Sequence, residues 1–223
     1  MGNKLAIFID GRNFKYATFD SLNIKVDFVK LRRHLTGDNF LVRAYYYSGV
    51  WTEESIRQFI NLKGFENRDE KFEEFMQKRD RDLSFLRFLN RNGYKVVTKP
   101  MKVYRDFTTG EVSIKADLDV ELAIDMLKLA DSVDTCILAS GDGDFVPVIN
   151  EVAAKGVRVA VLATQSDEAA QNGYRASDEL IDAADEFIEI VKIRPFIERG
   201  ARNGTSDAEV RISDEAEGFA GEE

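Results

Sequence analysis

The sequence predicts an α/β fold, a mostly parallel sheet flanked by helices on both faces. Three observations carry that expectation. Short, continuously apolar runs recur along the chain, as strands buried on both faces require. Between them lie stretches whose apolar residues recur three, four or seven positions apart, the pattern of crossover helices. Apolar content of 44% over 223 residues also supplies a sizeable core without disulfides or metal staples.

In chain order, Lys4 to Ile9 reads as a buried first strand ended by Asp10-Gly11. Val26 to Leu35 is helical and stops near Gly37, and Phe40 to Tyr47 is a second strand closed by Ser48-Gly49. Glu53 to Ile60 is a short helix. Residues 66–92 form the longest helical stretch, with Phe72, Phe75, Met76, Leu83 and Leu86 on one side and Asn92-Gly93 as its stop. Tyr94 to Thr98 is the third strand. Met101 to Asp106 and Glu111 to Ile114, around Thr108-Thr109-Gly110, form an inserted hairpin. Leu118 to Ala130 is a strong helix with Leu118, Leu122, Met126 and Leu129 on one stripe. Thr135 to Ala139 is the fourth strand, Phe145 to Lys155 a helix and Val157 to Leu162 the fifth strand. Residues 166–184 are helical pieces, and Phe187 to Val191 is a last, edge strand.

After Arg199 the apolar density collapses. Residues 1–199 are expected to form the folded domain. Residues 200–223, with seven acids against two arginines, are expected to be a disordered acidic tail.

Composition excludes several kinds of chemistry. One Cys precludes a disulfide framework within the chain. One His and one Cys fall short of an ordinary structural zinc site and leave Ser–His or Cys–His nucleophile pairs without support. His34, after Arg32-Arg33, reads as a solvated side chain, and Cys136, at the start of an apolar strand, as a buried small hydrophobe. No 18-residue apolar run occurs, so a cytoplasmic protein that does not enter the membrane is expected.

Carboxylates remain. Asp10 ends the first strand in Asp10-Gly11-Arg12-Asn13, and Asp142 and Asp144 follow the fourth in Ser140-Gly141-Asp142-Gly143-Asp144-Phe145. Ligands of an open parallel sheet bind beyond the carboxyl ends of its strands, where strand order reverses. If the first and fourth strands are neighbours there, these acids converge, and Gly11, Gly141 and Gly143 let the chain turn and approach a ligand closely. Either stretch alone is explained by turn and cap chemistry; two in one sheet favour a site. Asp119 opens the helix before the fourth strand and projects toward the same crevice. Asp125 shares the apolar stripe with Leu118, so it should be partly buried and need a partner, with Lys115 or backbone donors the obvious ones. Carboxylates crowded at one crevice tolerate each other when a hard divalent cation, Mg²⁺ or Mn²⁺, bridges them. Such a metal suits phosphodiester hydrolysis without His or Cys.

The stretches Asp10 to Asn13, Lys115 to Asp125 and Ser140 to Phe145, in this order and spacing, resemble the NYN domain, in particular its LabA-like branch, over roughly residues 3–191. The resemblance implies a PIN-like fold, related to PIN and FEN-type nucleases, and cleavage of RNA with divalent metal. Carried over residue by residue, it makes Asp10, Asp119, Asp142 and Asp144 the catalytic and metal-holding acids. Asn13 supports the first acid, and Lys115 and Ser140 shape the pocket. Where many members have a small or amide residue this chain has Asp117, which adds charge at the rim.

Net charge is −9 overall, yet residues 77–105 hold nine Lys/Arg against two Asp. Within that segment Arg87 and Arg91 share a helix face, and Lys95 and Lys99 follow in the next strand. These four are the expected contacts to the backbone of single-stranded RNA, although a solvated helix face is an equal reading. Tyr45, Tyr46, Tyr47, Tyr104 and Phe107 are candidate base-stacking aromatics, at most part of them free for it because strand neighbours alternate in direction. A homo-oligomer is compatible with the sequence. Two other readings compete with a ribonuclease. A haloacid-dehalogenase-type phosphatase needs a second Asp two residues after the first, where this chain has Arg12. A regulatory NYN module would bind RNA or protein without turnover.

Overall fold

The computed structural model describes residues 2–200. The tail expected to be disordered lies, from residue 201 onward, outside the described residues. Strands β1 (Lys4–Asp10), β2 (Phe40–Val50) and β3 (Tyr94–Pro100) form one half of a parallel sheet. Strands β6 (Thr135–Ala139), β7 (Arg158–Ala163) and β8 (Glu186–Glu189) form the other. Strands β4 (Lys102–Arg105) and β5 (Val112–Lys115) make a separate antiparallel hairpin, as expected. The sheet order is β3-β2-β1-β6-β7-β8, and every pairing in it is parallel. The chain builds outward from β1 in one direction, returns, and builds outward from β6 in the other. The reversal falls between β1 and β6, where ligand crevices of such sheets open.

Parallel strands need helical crossovers, and the sequence supplies them. Helix α1 (Gly11–Lys15) runs directly into a π-helical turn, Tyr16–Ser21, and α2 (Phe28–Thr36) follows. Helices α3 (Glu53–Lys63) and α4 (Arg68–Arg91) lie between β2 and β3, and α5 (Asp119–Ala130) precedes β6. Helix α6 (Val146–Ala154) joins β6 to β7. Two short helices, α7 (Asp167–Gln171) and α8 (Asp178–Ala183), come before β8, and α9 (Ile190–Ile197) ends the described fold. Among the described residues no helix is long and apolar enough to cross a membrane.

Alternation along β1 sorts the core onto two faces. Leu5, Ile7 and Ile9 pack with Leu31, Leu89, Ile193 and their neighbours on one face. Ala6 and Phe8 pack with Leu122, Met126, Ile149 and Val152 on the other. A third cluster, around Trp51, Ile56, Phe59, Phe75 and Val103, seats the hairpin on α3 and α4. Helix α4, 24 residues long and therefore about 36 Å at 1.5 Å per residue, joins two of these regions. Its Phe75 belongs to the hairpin cluster and its Leu86 and Leu89 to the sheet core.

Two elements differ from the sequence expectation. The segment after Asp10 is helical rather than a simple turn. Asp10 caps it by accepting the Asn13 N–H at 3.2 Å, and Phe14, Ala17 and Thr18 are buried at helical spacing. Residues from Ile190 onward are helical, whereas the expected last strand ran to Val191. Glu189 is the N-cap, and Ile190, Ile193 and Ile197 turn inward at helical spacing.

The acidic crevice and its family

Each site acid owes its position to a local feature of the chain. At the end of β1, Asp10 is a helix N-cap, and its second oxygen, Oδ2, accepts from the Ser140 hydroxyl at 3.3 Å. At the end of β6, Ser140 is almost fully buried. Its Oγ also accepts the Asp142 N–H at 3.3 Å, and Asp142 Oδ1 accepts the Asp144 N–H at 2.9 Å. The side-chain carbonyl of Asn13 accepts the Gly141 N–H at 2.8 Å. These bonds fasten the start of α1 to the loop after β6. The Asn13 side chain thus reaches Gly141 rather than Asp10, which receives the Asn13 backbone N–H, while Ser140 bonds Asp10 directly. The third element is the start of α5, where Asp119 donates its N–H to Asp117 Oδ1 at 3.0 Å.

The glycines serve the packing. None of Gly11, Gly141 and Gly143 has a positive φ. A Cβ on Gly11 would stand 2.5 Å from the Tyr47 carbonyl oxygen and 2.6 Å from the Tyr46 ring. The close approach expected toward a ligand is therefore made, at Gly11, to the neighbouring strand.

Asp10, Asp117, Asp119 and Asp142 line one open crevice of about 1510 Å³. Burial pushes the Asp10 carboxyl up, against the pull of the Asn13 N–H and the Ser140 hydroxyl, with the Asp142 charge adding to the rise. Burial also raises Asp119, to about 7, helped by the charges of Asp117, Asp10 and Asp142. Asp117 moves the other way because it accepts the Asp119 N–H. The acids of three separate chain segments therefore sense one another electrostatically. As they stand, no three His, Cys, Asp or Glu side chains among the described residues are grouped to hold an ion. The donor set is nevertheless all oxygen, and its mutual repulsion is what a hard divalent cation would relieve.

Other predicted residues fall elsewhere. Asp144 is exposed, sits in a 3₁₀ turn and is not among the crevice-lining residues. Lys115, at the end of β5, does line the crevice. Asp125 is partly buried as expected, but its partner is neither Lys115 nor backbone. Its Oδ2 accepts the Tyr47 hydroxyl at 3.1 Å, and Lys128 Nζ stands 3.8 Å from its Oδ1. A strand residue and the next helical turn supply what the stripe alone could not identify.

The four cations expected to meet RNA lie outside the crevice. Arg87, Arg91, Lys95 and Lys99 are absent from the crevice lining. Arg87 is exposed and donates to Ser84 on its own helix. Lys99 donates to the Asp117 carbonyl and to Glu121 Oε1, both at 2.8 Å, and so holds the entry to α5. The crevice cations are instead Arg12, Lys15, Lys63, Lys78, Lys115 and Arg175, among others, drawn from segments far apart in sequence. The strand tyrosines are committed to packing. Tyr45 stacks between Phe8 and Tyr47 at 5.4 and 5.8 Å, and Tyr46 and Tyr47 are buried. Of the hairpin candidates, Phe107 at the tip is almost fully exposed.

Comparison with known proteins agrees with this fold. The NYN domain matches residues 4–193. The chain belongs to the NYN domain family. Among NYN relatives, the Low amplitude and bright protein LabA of Synechococcus elongatus is 31% identical over 207 residues, 90% of each chain. The crystal structure of a protein of unknown function from Vibrio parahaemolyticus shares the fold at a TM-score of 0.59. It is 24% identical and is matched over 85% of this chain and 93% of its own. The PIN-like sheet expected from the sequence is thus the fold of this NYN domain.

Proposed function

We propose that this NYN domain is a metal-dependent ribonuclease that hydrolyses phosphodiester bonds in single-stranded RNA. The observation that carries the reading is the convergence of Asp10, Asp119 and Asp142 on one crevice at the strand-order reversal. Membership of a family similar to PIN nucleases supports it. In this reading Asp10, Asp119 and Asp142 would hold Mg²⁺ or Mn²⁺, which when bound supplies charge neutralisation and Lewis acidity at the phosphate. Ser140 and Asn13 keep Asp10 aimed into the crevice through the bonds described above. Lys99 keeps the Asp117–Asp119 segment in place. Arg12, Lys15 and Lys115 line the same crevice with positive charge that attracts the RNA backbone.

The test is cleavage of a labelled single-stranded RNA by purified protein with Mg²⁺, Mn²⁺ or EDTA, beside Asp10→Asn and Asp142→Asn. Metal-dependent cleavage lost in both variants is the expected result. RNA that is bound but never cut, whatever the metal, would make the chain a binding module instead.

A further inference from the structure

Most aromatic residues lining the crevice belong to the core: Phe14, Phe28, Tyr46, Trp51, Phe59 and Phe75 are all buried. Four lining aromatics, Tyr16, Phe19, Phe85 and Tyr174, are only partly buried, and two of them form a parallel stack. Tyr16 and Tyr174 both line the crevice and are only half-buried. Their rings stack at 4.7 Å with an interplanar angle of 14°, and the Arg12 guanidinium stands 5.6 Å from the Tyr16 ring centre.

The pair is tied to the acids from both sides. Tyr16 follows α1, the helix that Asp10 caps, so six residues separate it from that acid, about 9 Å of helical rise. Tyr174 lies in the loop between α7 and α8, and that loop is sewn to the Asp142 loop. The Ser177 N–H donates to the Gly141 carbonyl at 3.0 Å, and the Ala176 N–H to the Thr164 carbonyl at 2.9 Å. The packing is close: a Cβ on Gly141 would lie 3.1 Å from Ala176 Cα. Arg175, next to Tyr174, is exposed and lines the same crevice.

A stacked pair of half-buried rings, with the Arg12 guanidinium over one of them and lining the same crevice as the acids, has the composition of a base-stacking platform. We propose that Tyr174, backed on its inner face by Tyr16, stacks an unpaired base of the RNA next to the phosphate held at the acids, and so makes the site selective for single-stranded over duplex RNA. This rests on the ribonuclease reading. Stacked bases of a duplex have no free face to offer, whereas any unpaired base does, so the platform selects strandedness rather than sequence.

The experiment is binding of a short fluorescent single-stranded RNA in Ca²⁺, with the RNA shown to stay intact, alongside a duplex of the same sequence. Tyr174→Leu should weaken single-strand binding roughly tenfold or more and leave duplex binding unchanged. Tyr174→Phe, which keeps the ring, should retain the wild-type affinity. A 2-aminopurine in the strand should be quenched on binding to wild type and not to Tyr174→Leu. If Tyr174→Leu does not fold, as its melting curve would report, Tyr16→Leu reads the same platform. Equal single-strand affinity of wild type and Tyr174→Leu overturns the platform and leaves the ribonuclease reading standing. A wild type that binds no RNA overturns both.

Discussion

The Asn13 side-chain carbonyl accepts the Gly141 N–H at 2.8 Å, joining helix α1 to the turn after β6. Two segments, 128 residues apart in sequence, are thereby held at the strand-order reversal, and so are the acids beside them. Asn13→Ala removes the acceptor and leaves a part-buried N–H unpaired, so a loss of about 1–2 kcal/mol is expected, read as a lower melting temperature. RNA affinity should hold while turnover falls, because the positive charges of the crevice are untouched. Full turnover in Asn13→Ala would show that the loops do not need this bond.

The acids after β6 should differ in weight. Asp142 lines the crevice, and Asp144 is exposed outside it. Replacing a group beyond the metal's own ligands typically costs about 10- to 100-fold in metal affinity or activity. Asp144→Asn is expected to stay within that range, and Asp142→Asn to exceed it. Rates under saturating metal compare the two, and equal losses would contradict the placement.

Metal-free stability should depend on pH through Asp119. Its carboxyl rises from 3.8 to about 7 in the folded chain, through burial first and then the neighbouring acids. The folded state therefore binds this proton more tightly than the unfolded state. Its contribution to stability is complete below the unfolded value and is lost as pH rises through the folded one. Between those two values the wild type should lose melting temperature relative to Asp119→Asn, which has no proton to release. Mn²⁺ should narrow the gap by raising the wild type, since a ligand of the folded state stabilises it. Parallel pH profiles of the two proteins in EDTA would contradict this.

Much of the fold was legible because strands buried on both faces read as unbroken apolar runs, and Leu5 to Ile9 or Cys136 to Ala139 admit few other readings. Helix α1 escaped because Asp10-Gly11 satisfies turn chemistry as well as capping; the inward spacing of Phe14, Ala17 and Thr18 was the available signal. Helix α9 escaped because Ile190 and Val191 continue a β-branched strand run and Pro195 counts against a helix. Asp10 and Asp142 could be placed at one sheet edge because strand ends are local features. The crevice cations and the Tyr16–Tyr174 stack could not, since their members come from segments that only the fold brings together. The run containing Arg87 and Arg91 was conspicuous because it is contiguous, yet the long helix that carries it presents both side chains to solvent.

That contrast sets the last prediction. If the RNA backbone follows the crevice, Lys15 and Lys115, which line it, should carry the salt dependence of binding. Arg87 and Arg91, which do not, should be silent. Each phosphate contact to a single strand contributes about 0.7 to the slope of log affinity against log salt. Lys15→Gln/Lys115→Gln should flatten the slope by about twice that amount and weaken all sequences alike, because phosphate contacts carry no base identity. Arg87→Gln/Arg91→Gln removes the same formal charge from another part of the molecule. It should leave the slope unchanged, with at most a small change in affinity, since exposed charges more than about 10 Å apart at 0.1 M salt are largely screened. The two double variants, titrated with one RNA across a salt series, decide the matter. A slope that falls only for the arginine pair would move the RNA path out of the crevice and onto the outer face of α4.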